Sequence, residues 1–331
     1  MPTLYVQEQG AKVRKKDQQI IVTKDDRTLR EVPMAQLDQV VLMGRGVHIS
    51  TALLVDLLER GVPVTITNQH GNRHYATLTA GPSRFGELRS AQMLFVGAPE
   101  RALGLARAIV QAKLRNQRQL LTQTKWPAAL AAITQIDAAL GQLAGAATVD
   151  SLRGYEGAAA AAYFGAWRVS VGPGWGFDGR AFYPPPDPIN AMLSFGYTLA
   201  LHDVLTAIQI TGLDPYLGTF HVIEAGRPSL ALDLLEEFRP LIVDRLVLEL
   251  VQSKALPPAR FSQPAERPGA VYLDAAGRAL LVDRYEAMMQ SRARLPSGEQ
   301  TTLRQIMLLQ ARAVARVMRG EQAEYGGYTP R

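Results

Sequence analysis

The chain has 331 residues, enough to bury a sizeable core and to suggest two domains. Its 36 Lys and Arg against 30 Asp and Glu give a formal charge of +6, a balance that suits a polyanionic partner. With no cysteine, disulfide scaffolds, iron–sulfur clusters, cysteine-held zinc and thiol nucleophiles are excluded, and a reducing, cytoplasmic setting is expected.

Residues 1–23 mix charged and amide side chains with short apolar runs, unlike a secretion signal. Short β-branched or aromatic runs at Leu4–Val6, Gln19–Val22, Gln39–Leu42 and Val62–Ile66 predict strands. Between them, Thr51–Arg60 predicts one helix, closed by Gly61 where a left-handed cap is cheap. The turn Gln69-His70-Gly71-Asn72 favours a hairpin, and Gly81-Pro82-Ser83 then breaks regular structure. The expected fold class is α+β, with a small β-rich domain over 1–82 and a larger, mostly α-helical domain over 83–331.

From Ala102 to about Lys125 the pattern is helical, with Leu105, Ile109, Ala112 and Leu120 on one face. Arg107, Arg118 and Lys125 lie within about 20° of one another on the opposite face. Six basic residues (Arg101, Arg107, Lys113, Arg115, Arg118, Lys125) and no acidic one fall between Arg101 and Ile136. Such a segment is either a solvated helix face or a surface for nucleic-acid phosphates. Ala158–Ala162 and Ala191–Ile210 are the most apolar stretches and read as core helices rather than bilayer spans. Gly, Pro and aromatic residues make 171–188 a loop, whose Trp175, Phe177 and Tyr183 beside Arg180 suit either base stacking or packing onto their own domain. A helix is expected from Ser229 as N-cap, a hairpin of Val271–Leu273 with Ala279–Val282 around Gly277, and a last helix near Thr302–Arg319.

No nucleotide-binding glycine motif is complete. His70 and His74 have the spacing of a zinc pair, but in a turn and strand that spacing does not bring them together. Glu156, on a helix starting near Tyr155, shares a face with Ala160, Tyr163 and Trp167. It is either a first-turn acid favoured by the helix dipole or a carboxylate neutralised by a cation. Asp233, Glu236, Glu237 and Asp244 fall within about 100° of helix surface, a stripe that needs water, a basic neighbour such as Arg239, or a metal ion. His221 precedes that helix in a Gly- and Pro-containing segment that can fold back toward it. One histidine with two or three carboxylates makes a mixed nitrogen and oxygen set suited to Mn²⁺ or Mg²⁺.

These residues stand in runs that resemble a known family, the CRISPR-associated endonuclease and integrase of spacer acquisition (Cas-one). The matching runs are Gly46-Val-His-Ile-Ser-Thr51, Glu59-Arg-Gly-Val-Pro-Val64, Ala112-Lys113-Leu-Arg-Asn116-Gln-Arg118 and Leu152-Arg-Gly-Tyr-Glu156-Gly157. They continue with Asp187-Pro-Ile-Asn190 through Tyr197, Gly212-Leu-Asp-Pro215 through His221, and Ser229-Leu-Ala-Leu-Asp233-Leu-Leu-Glu236-Glu-Phe-Arg239-Pro240. The resemblance implies a β-rich dimerisation domain and a helical catalytic domain with one divalent site. Glu156 falls on the family's glutamate ligand, His221 on its histidine and Glu236 on the third ligand, with Asp233 as a supporting acid. The choice between Asp233 and Glu236 stays open at this level.

The implied reaction is metal-dependent attack on a DNA phosphodiester, by water in cleavage or by a 3′-hydroxyl in integration of a new spacer. Expected partners are DNA (a prespacer duplex and the CRISPR repeat and leader), a second copy of the chain, and a small second adaptation subunit (Cas-two); no membrane is involved. Arg107, Lys113, Arg115 and Arg118 are expected to contact DNA phosphates. A mobile-element integrase, a branched-DNA repair nuclease or a catalytically silent scaffold of the same fold are the competing expectations.

Overall fold

The computed structural model describes residues 3–69, 71, 74–79, 85–181, 184–265 and 267–330. The expected break at Gly81-Pro82-Ser83, and His70, Asn72 and Tyr183, lie outside the described residues. The chain divides into two units, Met1–Arg84 and Phe85–Arg331.

The first unit holds β1 (Thr3–Val6), β2 (Lys12–Lys16), β3 (Gln19–Lys24), β4 (Arg27–Pro33), β5 (Gln39–Met43), β6 (His48–Ile49), α1 (Thr51–Glu59), β7 (Val64–Thr67) and β8 (His74–Leu78). One sheet has the order β1-β5-β7-β8 and the other β4-β3-β2-β6. β5 is buried along its whole length, as its unbroken apolar run requires of a central strand flanked by parallel neighbours. A shared core of Leu4, Val6, Val13, Ile20, Val22, Val40, Leu42, Leu53, Leu57 and Val64 lies among these elements. Ser50 caps α1 by accepting from the Leu53 N–H at 3.3 Å, and Gly61 has φ +74° where the helix ends. β7 and β8 pair antiparallel, as a hairpin demands. β2 and β4 add to the expected strands: each is mostly exposed, and in β2 only Val13 is buried, which leaves little hydrophobic signal.

The second unit is helical: α2 (Gly86–Val96), α3 (Pro99–Thr124), α4 (Ala129–Gln142), α5 (Val149–Ser170), α6 (Pro188–Thr211), α7 (Ser229–Phe238), α8 (Arg245–Gln252), α9 (Ala275–Gln290) and α10 (Leu303–Met318). Two short antiparallel pairs accompany them, β9 (Phe261–Ser262) with β10 (Tyr272–Leu273), and β11 (Arg292–Arg294) with β12 (Gln300–Thr302). α6 is the one described helix long and apolar enough to cross a membrane, and 83% of its most apolar window is buried in the protein, so it is a core helix.

Three expectations are corrected. The hairpin around Gly277 does not form: Asp274 accepts from the Gly277 N–H at 2.6 Å and starts α9, while β10 pairs with β9 instead. Ser229 is the first residue of α7 rather than its cap, and its hydroxyl donates to Tyr216 O and accepts from the Gly218 N–H, tying down the preceding loop. α5 starts at Val149, capped by Thr148, so Glu156 sits two turns inside the helix and the dipole account of it does not apply.

Candidate metal centre

α3, α5 and α7 each place one charged side chain in a common buried space. From α3 the Lys113 Nζ lies 2.5 Å from Glu156 Oε1 on α5 and also pairs with Glu236 Oε2 on α7. Arg239, one turn beyond Glu236, brings Nη2 to 3.2 Å from Glu236 Oε1, and its guanidinium stacks over the Tyr197 ring at 4.7 Å. Burial works against the Glu236 carboxylate, but the Arg239 guanidinium and the Lys113 ammonium outweigh it and lower its pKa to about 2. Burial likewise works against the Lys113 ammonium, and Glu236 and Glu156 outweigh it, so its pKa is raised.

His221 is delivered by the loop between α6 and α7. Asp233, fully buried on α7, accepts from the backbone N–H groups of Thr219 (2.6 Å), Phe220 (2.9 Å) and His221 (2.8 Å). Its Oδ1 also lies 2.8 Å from His221 Nδ1. Four donors fill the lone-pair positions of one carboxylate, so Asp233 is spent on the loop. The loop lies close to α7 because Gly218 has no side chain: a Cβ there would stand 2.6 Å from Asp233 Oδ2. Arg153, one turn before Glu156, donates to Phe220 O from Nε at 3.1 Å and holds the loop from α5.

With Nδ1–H donating to Asp233, His221 Nε2 carries its free lone pair toward Glu236, whose Oε1 is 3.7 Å away. That gap is too long for a hydrogen bond. It matches the roughly 3–4 Å between two donors sharing a small divalent cation at about 2.0–2.2 Å each. Glu236 Oε2 is buried without a geometrically satisfactory hydrogen bond, although the Lys113 ammonium is in ion-pair contact with it. Among the described residues, no three His, Asp or Glu donors already stand at metal-binding spacing. The Lys113 ammonium takes up the space between two of them. The donor set of two carboxylates and one neutral imidazole fits Mg²⁺ or Mn²⁺.

The acidic stripe expected on α7 is not a solvated face: Asp233, Glu236, Glu237 and Asp244 are all buried, each with its own partners. Glu237 points away from Lys113's cluster and receives the Tyr325 hydroxyl (2.5 Å) and the Tyr328 N–H (2.7 Å) of the C-terminal segment. Burial raises its pKa to about 7. Pro240 lacks an N–H and crowds the preceding turn, and 239–244 widen into a π-helix that breaks the regular face between Glu236 and Asp244. Asp244 accepts from Tyr163 (2.9 Å) and Tyr197 (2.5 Å), and burial raises its pKa to about 6.

The basic residues of α3 separate by environment. Arg107 donates to the carbonyls of Leu143 and Ala146 at 2.9 and 3.0 Å, closing the end of α4. Arg118 pairs with Asp137 at 2.6 Å on the surface, one residue past the acid-free interval. Arg115 is exposed and, with Arg118 and Thr329, lines a cavity of about 370 Å³. Lys113 follows Ile109 by four residues and so falls on the buried face, the sequence signal that sets it apart from the surface stripe. In the 171–188 loop Phe177 is buried 6.3 Å from the Trp167 ring, the packing alternative rather than a stacking platform. His74 bonds Thr77 at 2.8 Å.

Residues 4–287 match the family model described as CRISPR associated protein Cas1. The chain is 35% identical over 328 residues to a CRISPR-associated endonuclease Cas1 of Thermus thermophilus, covering 99% of this chain and 98% of that one. Among solved structures it superposes on a CAS1 protein from Thermotoga maritima with TM-score 0.82 and 23% identity, covering 99% and 100% of the two chains. A Cas6-RT-Cas1–Cas2 complex matches with TM-score 0.82 and 24% identity, covering 98% of this chain and 36% of that one. A casposase bound to its integration product matches with TM-score 0.84 and 21% identity, covering 99% and 95%. The β-rich unit followed by a helical unit is thus the Cas1 fold, and the chain belongs to the Cas1 family of CRISPR-associated endonucleases.

Proposed function

We propose that this chain is a divalent-metal-dependent DNA endonuclease and integrase that joins DNA fragments into a CRISPR array as new spacers. The observation that carries the reading is the meeting of Glu156, Glu236 and the free Nε2 of His221 from α5, α7 and the loop before it. Those three residues hold one Mg²⁺ or Mn²⁺, with Asp233 fixing the tautomer and direction of His221 rather than ligating. When bound, the cation polarises the scissile phosphate and stabilises the leaving oxygen. Arg239 keeps Glu236 ionised, and three protein donors leave room for phosphate and water on a cation that prefers about six ligands.

Arg115 and Arg118, at the open end of α3, are the phosphate contacts of that helix, with affinity that falls as salt rises. The domain over 1–82 serves dimerisation and that over 83–331 catalysis. Two DNA ends must be set a fixed distance apart, so a small second adaptation subunit completes the assembly in the cytoplasm; the solved Cas1–Cas2 complex of the same fold supports this arrangement. The test is strand joining and cleavage on branched and duplex DNA, with Mn²⁺, Mg²⁺ or chelator, using wild type, Glu156→Ala and His221→Ala with the second subunit added. Metal-dependent joining lost in both variants with DNA binding retained is expected. Full activity in either variant overturns the ligand assignment, and joining confined to terminal inverted repeats favours a mobile-element integrase, the role suggested by the casposase likeness.

A further inference from the structure

The metal reading leaves Lys113 unexplained. A buried ammonium held between Glu156 and Glu236 neutralises the oxygens a divalent cation would need. Those two carboxylates are the only acceptors it meets among the described residues. It reaches them by a four-carbon stem with rotatable bonds, and the two carboxylates are its polar partners. Arg239, the other cation of the cluster, is held differently: it lies one turn from Glu236 on the same chain segment and stacks on Tyr197. Of the two cations, the lysine is the one free to leave.

We propose that Lys113 is a displaceable counter-ion for the metal centre, which bridges Glu156 and Glu236 until a divalent cation takes those oxygens and thereby sets how tightly the cation binds. The inference rests on the ligand reading above. Without metal the ammonium keeps the buried Glu236 and the half-buried Glu156 carboxylates from repelling each other and holds α3, α5 and α7 together. With metal it gives up both contacts, and that loss is subtracted from metal affinity. Binding is therefore weaker than three such donors alone would give, and it is coupled to movement of one side chain.

The experiment titrates Mn²⁺ into the chelator-treated full-length protein and reads free Mn²⁺ by electron paramagnetic resonance, for wild type, Lys113→Met, Lys113→Gln and His221→Ala. Lys113→Gln keeps a polar end that can donate to one carboxylate, and covers the case that the methionine variant does not fold. Expected is Mn²⁺ binding about tenfold or more tighter in the folded Lys113 variants, since a competing charge is gone. Their melting temperature should fall without metal and recover with it. Folded Lys113 variants that bind Mn²⁺ no tighter than wild type overturn the inference while leaving the ligand set intact. Undiminished binding in His221→Ala overturns the ligand set instead, and absence of Mn²⁺ binding in every form overturns both.

Discussion

Two buried ion clusters in the helical unit use similar residues to opposite ends. In the first, Arg304 of α10 spans Asp203 of α6 and Glu286 of α9 through four contacts of 2.6 to 3.3 Å, and Tyr285 donates to Asp203 at 2.6 Å. A planar fork meeting two carboxylates fixes three helices in one arrangement. In the second, a lysine meets Glu156 and Glu236 with a single point of charge, one glutamate oxygen lacks a satisfactory hydrogen bond, and a histidine aims a free lone pair into the same space. The difference separates a cluster built to stay from one built to exchange: the arginine fork closes its acceptors, whereas the lysine leaves its acceptors available to a better cation.

Substitutions should break the two clusters in different observables. The largest effect is expected at the exchangeable one, where Glu156→Ala or His221→Ala lowers metal-dependent strand joining by on the order of 10³-fold in single-turnover assays. At the closed cluster, Arg304→Ala removes the guanidinium that Asp203 and Glu286 share and should cost about 3–5 kcal/mol in urea unfolding. Any surviving folded fraction should retain its Mn²⁺ affinity; a large loss of affinity there would contradict the separation.

Asp233→Asn sharpens the comparison from the side of the loop. It preserves shape but removes acceptor capacity under four donors and disturbs the His221 tautomer. Metal affinity should fall about 10–100-fold by calorimetric titration, with joining falling alongside. Equal affinity would mean that His221 does not need its carboxylate.

The smallest effect concerns pH. Asp244 has its pKa raised from 3.8 to about 6 in the folded protein, chiefly by burial. A raised carboxyl pKa means that folding takes up a proton. Its contribution to stability is complete below 3.8 and is lost as pH rises through about 6. Asp244→Asn should therefore remove about 1–3 kcal/mol of the fall in stability between pH 4 and 7, read from urea midpoints. An unchanged slope would place the pH dependence elsewhere, Glu237 being the next group whose raised pKa lies in that range.

Much of this was legible in the sequence where one physical signal dominated. β5 and α1 announced themselves through an unbroken apolar run and through a cap followed by Gly61. β2 and β4 did not, because strands exposed along most of their length need bury only alternate or terminal residues. Gly277 misled for a local reason: three residues after Asp274 it supplies the N–H of a helix cap, whereas the apolar residues on either side of it also suit a hairpin. At the site, residue types and spacing offered Glu156, His221 and the acids Asp233, Glu236, Glu237 and Asp244, and the family resemblance narrowed these to Glu156, His221, Glu236 and Asp233. What spacing on a single helix could not convey was the cation from a third helix. Lys113 reads as one more positive charge in a basic segment until its four-residue distance from Ile109 is taken to mean burial. Pro240 marks the break in α7, but the π-turn that carries Asp244 away from Glu236 toward two tyrosines depends on packing against α5 and α6.

The most direct test of the metal centre is the anomalous scattering of crystals grown with Mn²⁺, collected above and below the manganese edge. The expected result is one peak within coordination distance of Glu156, His221 Nε2 and Glu236, with the Lys113 ammonium withdrawn from both carboxylates and Asp233 still on Nδ1. A peak ligated by Asp233 in place of Glu236, or no peak at this site at saturating Mn²⁺, would contradict it.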